Sequence, residues 1–237
     1  MGISYNPGIV TNGLVGYWDA GNPKSYPGSG TTWSDLSGNR YNGTLANSPT
    51  FSSDNGGNFA FNGSSQRVSV PYTAGLAPTA QISYEAFAYL ANWNITSDIR
   101  ILSKTEGGGY HMALNDGTIL ASSLGGVIYA GGAYRAVKIS RTLLSSGWHH
   151  VAFTFDGQYY KMYLDGINVD TYNHGSVTTL SYSNSNHLVV GAEAGTGTNV
   201  AGNYWSGKIA SVKVYNRGLT ENEVERNFGA SRGRFGI

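Results

Sequence analysis

The chain has 237 residues; 34 are glycine, only 12% are charged, and aromatics reach 13% with 17 tyrosines. That composition suits pleated, half-buried strands joined by many turns and excludes a helix bundle, while 6 prolines without a three-residue glycine period exclude collagen and 40% apolar content excludes a wholly disordered chain. Lys plus Arg number 15 against 14 Asp plus Glu, and the net charge of +1 offers neither nucleic acid nor an anionic membrane an electrostatic footprint.

The first strand expected is Leu14–Trp18, followed by dense turn chemistry at 28–30, 35–39 and 54–58. Ile82 to Leu90 alternates with period two, placing Ile82, Tyr84, Ala86, Ala88 and Leu90 on a core face and Ser83, Glu85, Phe87 and Tyr89 on a mixed second face. Further strands are predicted at Ile99–Ser103, Tyr110–Leu114, Thr118–Ala121, Val127–Ala130, Ala136–Ser140, His187–Gly191 and Lys208–Tyr215. Asp156-Gly157 predicts a two-residue type I′ hairpin that pairs Phe155 with Gln158 and sets Phe153 opposite Tyr160. Val151, Phe153 and Phe155 then face the core. Trp148, His150, Ala152 and Thr154, with Tyr163, Lys161 and Tyr159, form an amphipathic second face that reads either as a half-exposed structural sheet or as a sugar-binding one. Thr220 as N-cap with Glu223 three residues on predicts a helix over about 221–228, stopped by Gly229 and laid on the sandwich through Val224 and Phe228.

Many short strands with almost no helical period between them indicate an all-β fold built from antiparallel strands. The expected organisation is a single domain over 1–237, with a core about 9–228 and a C-terminal tail over 229–237. There is no cysteine, hence no disulfide or thiolate metal site. The opening residues show no basic run followed by an apolar stretch, and no window approaches about 18 apolar residues, so neither a signal peptide nor membrane insertion is expected. Asn6 stands where the myristoylation motif begun by Gly2 requires Ser or Thr.

Three segments resemble the laminin-G-like, concanavalin-A-like jelly-roll family. They are Gly13-Leu14-Val15-Gly16-Tyr17-Trp18-Asp19 with the motifs at 35–39, 42–45, 59–63 and 68–71; Gly147-Trp148-His149-His150-Val151 through Gly157 with 163–166; and Leu188-Val189-Val190-Gly191 with 207–220 and the capped helix. The resemblance implies a two-sheet antiparallel jelly-roll sandwich with one short C-terminal helix, in which Trp18, Trp33 and Trp148 are structural. The opening 7–14 and the ending 227–237 resemble versions found in virion proteins of tailed bacteriophages. That implies a non-catalytic interaction module on a virion surface, decorating a capsid or tail. Its partners would be other virion proteins or further copies of itself, with cell-surface glycan as a possible ligand. The alternatives are an extracellular lectin-like module and a glycoside hydrolase. The basic-aromatic tail Arg232-Gly233-Arg234-Phe235 would dock on a neighbour, pack back on its own domain or stay mobile.

No catalytic residues are assigned. The Glu-x-Asp-x-x-Glu pattern of a jelly-roll glycosidase is absent, and Glu221, Glu223 and Glu225 fall on the helix. His149 and His150 are adjacent and point to opposite sheet faces, and the remaining histidines show no ligand spacing. Gly107-Gly108-Gly109 and 195–198 read as flexible loop tips, not phosphate loops. Structural calcium is a candidate cofactor, with Asp35 and Asn39 of Asp35-Leu36-Ser37-Gly38-Asn39 as side-chain ligands; the competing reading is an Asx turn serving its own backbone. Trp93, Tyr110, His111, Tyr134, Tyr204 and Trp205, in or beside glycine-rich loops, are the candidates for stacking on sugar.

Overall fold

The computed structural model describes residues 8–117 and 119–237. In chain order the first strands are β1 (Leu14–Asp19), β2 (Thr32–Trp33), β3 (Gly43–Ala46), β4 (Thr50–Ser52), β5 (Asn58–Ala60) and β6 (Arg67–Val70). The middle of the chain supplies β7 (Ile82–Leu90), β8 (Ile99–Lys104), β9 (Tyr110–Leu114), β10 (Ser123–Ala130), β11 (Ala133–Ser140), β12 (Gly147–Phe155), β13 (Tyr159–Leu164) and β14 (Ile167–Asn173). The last are β15 (Leu188–Val190), β16 (Glu193–Ala194), β17 (Val200–Gly202) and β18 (Lys208–Tyr215), followed by α1 (Glu221–Ser231). A first antiparallel sheet runs β14-β13-β12-β7-β18-β5-β4, with β1 added against β18; a second runs β11-β10-β9-β8-β15-β6-β3-β2.

The two sheets close over one apolar core. All five residues assigned to the inner face of β7 lie in it, and Tyr84 at its middle stacks 4.8 Å from Phe153 of the same sheet and 5.2 Å from Tyr110 of the opposite one. Its hydroxyl donates to the carbonyls of His111 and Val127, so one ring gives both packing and a polar tie between layers. Trp18 and Trp33 are fully buried.

The second face of the first sheet is covered. Glu85, in mid-strand, survives burial because Lys213 lies directly across in β18, with Nζ 2.7 Å from Oε1. The other carboxylate oxygen accepts from Asn227 of α1, whose Oδ1 accepts the Val10 N–H. Burial raises the Glu85 carboxyl, but Lys213 and His150 together outweigh it and hold it at about 2. Val224 packs with Ala152, Tyr163 and Tyr215. The capping box forms as expected, but α1 runs through Gly229 to Ser231 and then tightens into a 3₁₀ turn over Arg232–Arg234.

Of the three fates open to the tail, packing on its own domain is the one observed. Phe235 stacks 4.5 Å from Phe87 and 4.7 Å from Trp148, and Arg234 pairs with Asp19 at 2.8 Å. The reading of the Trp148-to-Thr154 face as a sugar platform is therefore corrected: Ala152 and Tyr163 pack with Val224 of α1, Trp148 with Phe235 and His150 with Phe228, and Thr154 is buried, leaving Tyr159 exposed at the far end.

Two local expectations are also corrected. The Asp156-Gly157 hairpin turns two residues later, pairing Phe155 with Tyr160 and Phe153 with Met162. Gly157 takes a positive φ of 104° but Asp156 does not, and Asp156 Oδ1 instead accepts the N–H groups of Gln158 and Tyr159, an Asx turn that spans a longer loop. Because the slip is even, every side chain keeps its face. Of the strand expected at Thr118–Ala121, Thr118 lies outside the described residues and the remainder is turn, held by the Leu120 N–H on the Asp116 carbonyl.

Candidate functional site

The outer face of the second sheet lacks such a helix. Tyr110, Met112 and Leu114 of β9 point into the core, so His111 and Ala113 point outward. A register shift in β8 between Arg100 and Leu102 sends Arg100 to the same outer face, where its side chain is only 3% exposed. One guanidinium nitrogen pairs with Asp98; the other lies 3.1 Å from both Asp116 and Glu193. Asn203 bridges Asp98 and Glu193 through its amide nitrogen, and His111 Nε2 meets Asp116 at 2.6 Å.

Three carboxylates thus share one guanidinium. Burial, aided by the Arg100 charge, outweighs the Asp116 hydrogen bond and lowers the pKa of His111. Asp116 feels burial in the opposite sense, but the His111 hydrogen bond and Arg100 hold its carboxyl below the usual range. Asp98 is pushed up to about 6 by burial, with Asp116 and Glu193 opposing the help from Arg100.

Above this cluster opens a cleft of about 160 Å³, walled by His111, Thr105, Glu106, Ile119 and Tyr134. Tyr134 is 37% exposed. Its hydroxyl accepts the N–H of Gly108, whose φ of 114° lets that amide turn toward the ring, and its ring lies 5.0 Å from Tyr129. On the far side of Ile119 and Tyr134 a second groove of about 310 Å³ continues past Ala136 and Lys138 to Tyr172, which is 40% exposed. A fixed polar wall beside exposed rings can hydrogen-bond hydroxyl groups and stack on an apolar ring face. It is not arranged for glycoside hydrolysis. That reaction needs an acid and a second carboxylate flanking the bond to be cut, whereas here Arg100 already sits between Asp116 and Glu193.

Of the six sugar-stacking candidates, only His111 and Tyr134 meet at this cleft. Trp93, Tyr110 and Trp205 are 1%, 0% and 0% exposed and offer no face to a ligand. This is a correction with a common cause: each ring turns inward to fill the end of the sandwich, Trp93 edge-on to Trp205 at 5.7 Å and Tyr110 donating its hydroxyl to the Leu76 carbonyl. Tyr204 is half-buried against Val189, Ala192 and Ala194, a separate cluster. Arg100, Asp98, Asp116 and Glu193 were missed because they are scattered over the chain; the one local signal was a lone arginine in an otherwise apolar strand start.

Asp35 and Asn39 do not fit a calcium ion as arranged. Asp35 Oδ1 accepts the N–H groups of Tyr17 and Ser37, and Oδ2 accepts the Ser37 hydroxyl and the Tyr41 N–H. Asn39 turns its amide nitrogen to the Val15 carbonyl. These contacts are those of an Asx turn whose oxygens already hold donors. The glycine-rich segments are likewise tied down: Gly109 N–H donates to the Ser181 carbonyl and Gly197 N–H to Asn186.

Ser145, His149 and Asp165 fall in the order of a nucleophilic triad, with His149 Nδ1 2.8 Å from Asp165 and Nε2 3.4 Å from the Ser145 hydroxyl. Nε2 is closer to the Ser145 carbonyl, at 3.0 Å. An imidazole donating from Nε2 to a carbonyl has no lone pair there for a hydroxyl proton, so the group acts as a clamp on the 145–149 turn. Another groove, about 790 Å³ between α1 and the β13–β14 turn, is lined by the solvent side of the helix; Arg232 covers Phe228 there, 5.6 Å from its ring.

A laminin-G-type family profile, described as the concanavalin A-like lectin/glucanases superfamily, matches residues 62–225. The chain belongs to this family. No curated protein matches it. Among solved structures, the binding domain of botulinum neurotoxin serotype D superposes with a TM-score of 0.67 at 12% identity, covering 92% of this chain and 52% of that one. The binding domain of Paraclostridial Mosquitocidal Protein 1 gives 0.65 at 15%, with the same coverage. Domain 4 of AbnA, a GH43 extracellular arabinanase from Geobacillus stearothermophilus, solved with arabinotriose, gives 0.63 at 17%, covering 90% of this chain and 96% of that one. At these identities the likeness is one of fold, and the chain spans about half the length of the two toxin binding domains.

Proposed function

We propose that this laminin-G-like jelly roll is a non-catalytic carbohydrate-binding module whose ligand lies across Tyr134, between the His111 cleft and the Tyr172 groove. The observation that carries the reading is the asymmetry of the sandwich. One outer face is covered by α1 and the tail, while the other presents an anchored tyrosine beside a polar wall in which Arg100 holds Asp98, Asp116 and Glu193. The arabinotriose-bound arabinanase domain and the toxin binding domains, alike in fold, support binding over hydrolysis. A setting on a tailed-phage particle, carried by the resemblance of the two chain ends, belongs to the same proposal; this chain should then appear in mass spectra of purified particles.

The test is a glycan array read by Tyr134→Ala. Binding in the millimolar to micromolar range is expected for the wild-type chain, unchanged by calcium chelation, and a loss of at least tenfold in the variant, because stacking on one aromatic ring contributes about 1–3 kcal/mol. Binding that survives Tyr134→Ala undiminished would move the site elsewhere. Reducing-end release from β-glucan, abolished by Glu193→Gln, would replace the binding reading with an enzymatic one.

A further inference from the structure

Tyr134 divides two compartments of unlike charge. In the cleft on the His111 side the cation is matched: Arg100 meets three carboxylates, and His111 Nε2 is bound to Asp116. In the groove on the Tyr172 side the lining carries two cations, Arg135 and Lys138, and no acid. Among the described residues neither of the two forms an ion pair, and Arg135 Nε is buried without a hydrogen-bond partner.

The backbone explains why these charges stay free. Lys138 lies on the outer face of edge strand β11, in step with Tyr134 and Ala136, while Arg135 sits on the inner parity at the open margin where β11 meets β13 and β14. Asp170 of β14 is the acid placed against this edge, and it is already engaged: its Oδ2 accepts the Lys138 backbone N–H at 2.8 Å, blocking the ladder edge instead of pairing with a side chain. A guanidinium and an ammonium lining one groove with two exposed tyrosine rings match a carboxylate carried on a sugar ring.

We infer that the Tyr172 groove is a subsite for an acidic sugar, a hexose oxidised to a carboxylate at C6, lying next to the sugar that stacks on Tyr134. The inference rests on the proposed carbohydrate-binding reading and deepens it. The carboxylate meets Arg135 and Lys138, and the ring passes between Tyr134 and Tyr172.

Two matched pairs of probes test it by calorimetry at low salt: trigalacturonate against galactotriose of the same linkage, and cellobiouronate against cellobiose. Within each pair the sugars differ only at C6. The expected result is that at least one uronate binds about tenfold more tightly than its neutral partner, the gain of one hydrogen bond to a charged group. The ratio should fall toward one in 0.5 M NaCl and in Lys138→Ala, an exposed position where the fold is not at stake. Arg135→Gln provides a second, independent reduction. Neutral sugars that bind as well as their uronates overturn the acidic subsite while leaving carbohydrate binding intact. Failure of all four sugars, with array binding also absent, overturns both.

Discussion

Replacing Arg100 by methionine tests the claim that one guanidinium holds the acid cluster together. The substitution keeps an unbranched side chain and removes the charge that Asp98, Asp116 and Glu193 share. Removing one partner of a buried ionic group costs about 3–5 kcal/mol, because the other charges stay buried. For 237 residues the unfolding entropy converts each kcal/mol to about 2 °C, so Tm at pH 7.5 should fall by about 6–10 °C. The pH dependence is the sharper criterion. The Asp98 carboxyl is raised to about 6 even with Arg100 beside it. A carboxyl raised on folding contributes stability below its unfolded value, near 4, and loses it as pH rises through about 6. Without Arg100 that carboxyl rises further and the like-charge strain at neutral pH grows, so acidification helps the variant more than the wild type. Calorimetric scans at pH 7.5 and pH 5 should show the deficit narrowing by about 1 kcal/mol or more at the lower pH. A deficit equal at both pH values, or an unchanged Tm, would refute the shared-charge account.

Phe235→Ala should cost about 2–3 kcal/mol, since it removes a ring that is 7% exposed, stacked on Phe87 and tilted against Trp148, at a margin able to relax partly. Urea denaturation followed by tryptophan fluorescence reports it directly through Trp148; a change under about 0.5 kcal/mol would mean the tail only rests on the sheet. Asp165→Asn addresses the His149 clamp. Burial disfavours the charged imidazole, but Asp165 and the Ser145 carbonyl outweigh it and raise the His149 pKa. The wild-type contribution is thus present below about 6.5 and lost as pH rises through the folded value. The variant should lose about 1–2 kcal/mol at pH 5.5 and less at pH 8.5; a loss that grows with pH would contradict the assignment.

Local chemistry and period two make much of the architecture legible in the sequence. The inner face of β7, the limits of β9 and β18 and the Thr220–Glu223 box each follow from residues acting within a few positions of one another, while the burial of Trp18 and Trp33 followed from the family resemblance. Even the slipped hairpin kept its faces, because alternation depends on parity and not on turn length. What the tertiary structure alone decided was exposure. Trp93, Tyr110 and Trp205 look like Tyr134 in sequence, aromatic rings in or beside loops, yet three of the four are buried, because a ring's orientation depends on what it meets across the sandwich. Arg100, Asp116 and Glu193 become a cluster only when β8, β9 and β16 come together over 93 residues of separation, and charge pairing at that range leaves no period to read.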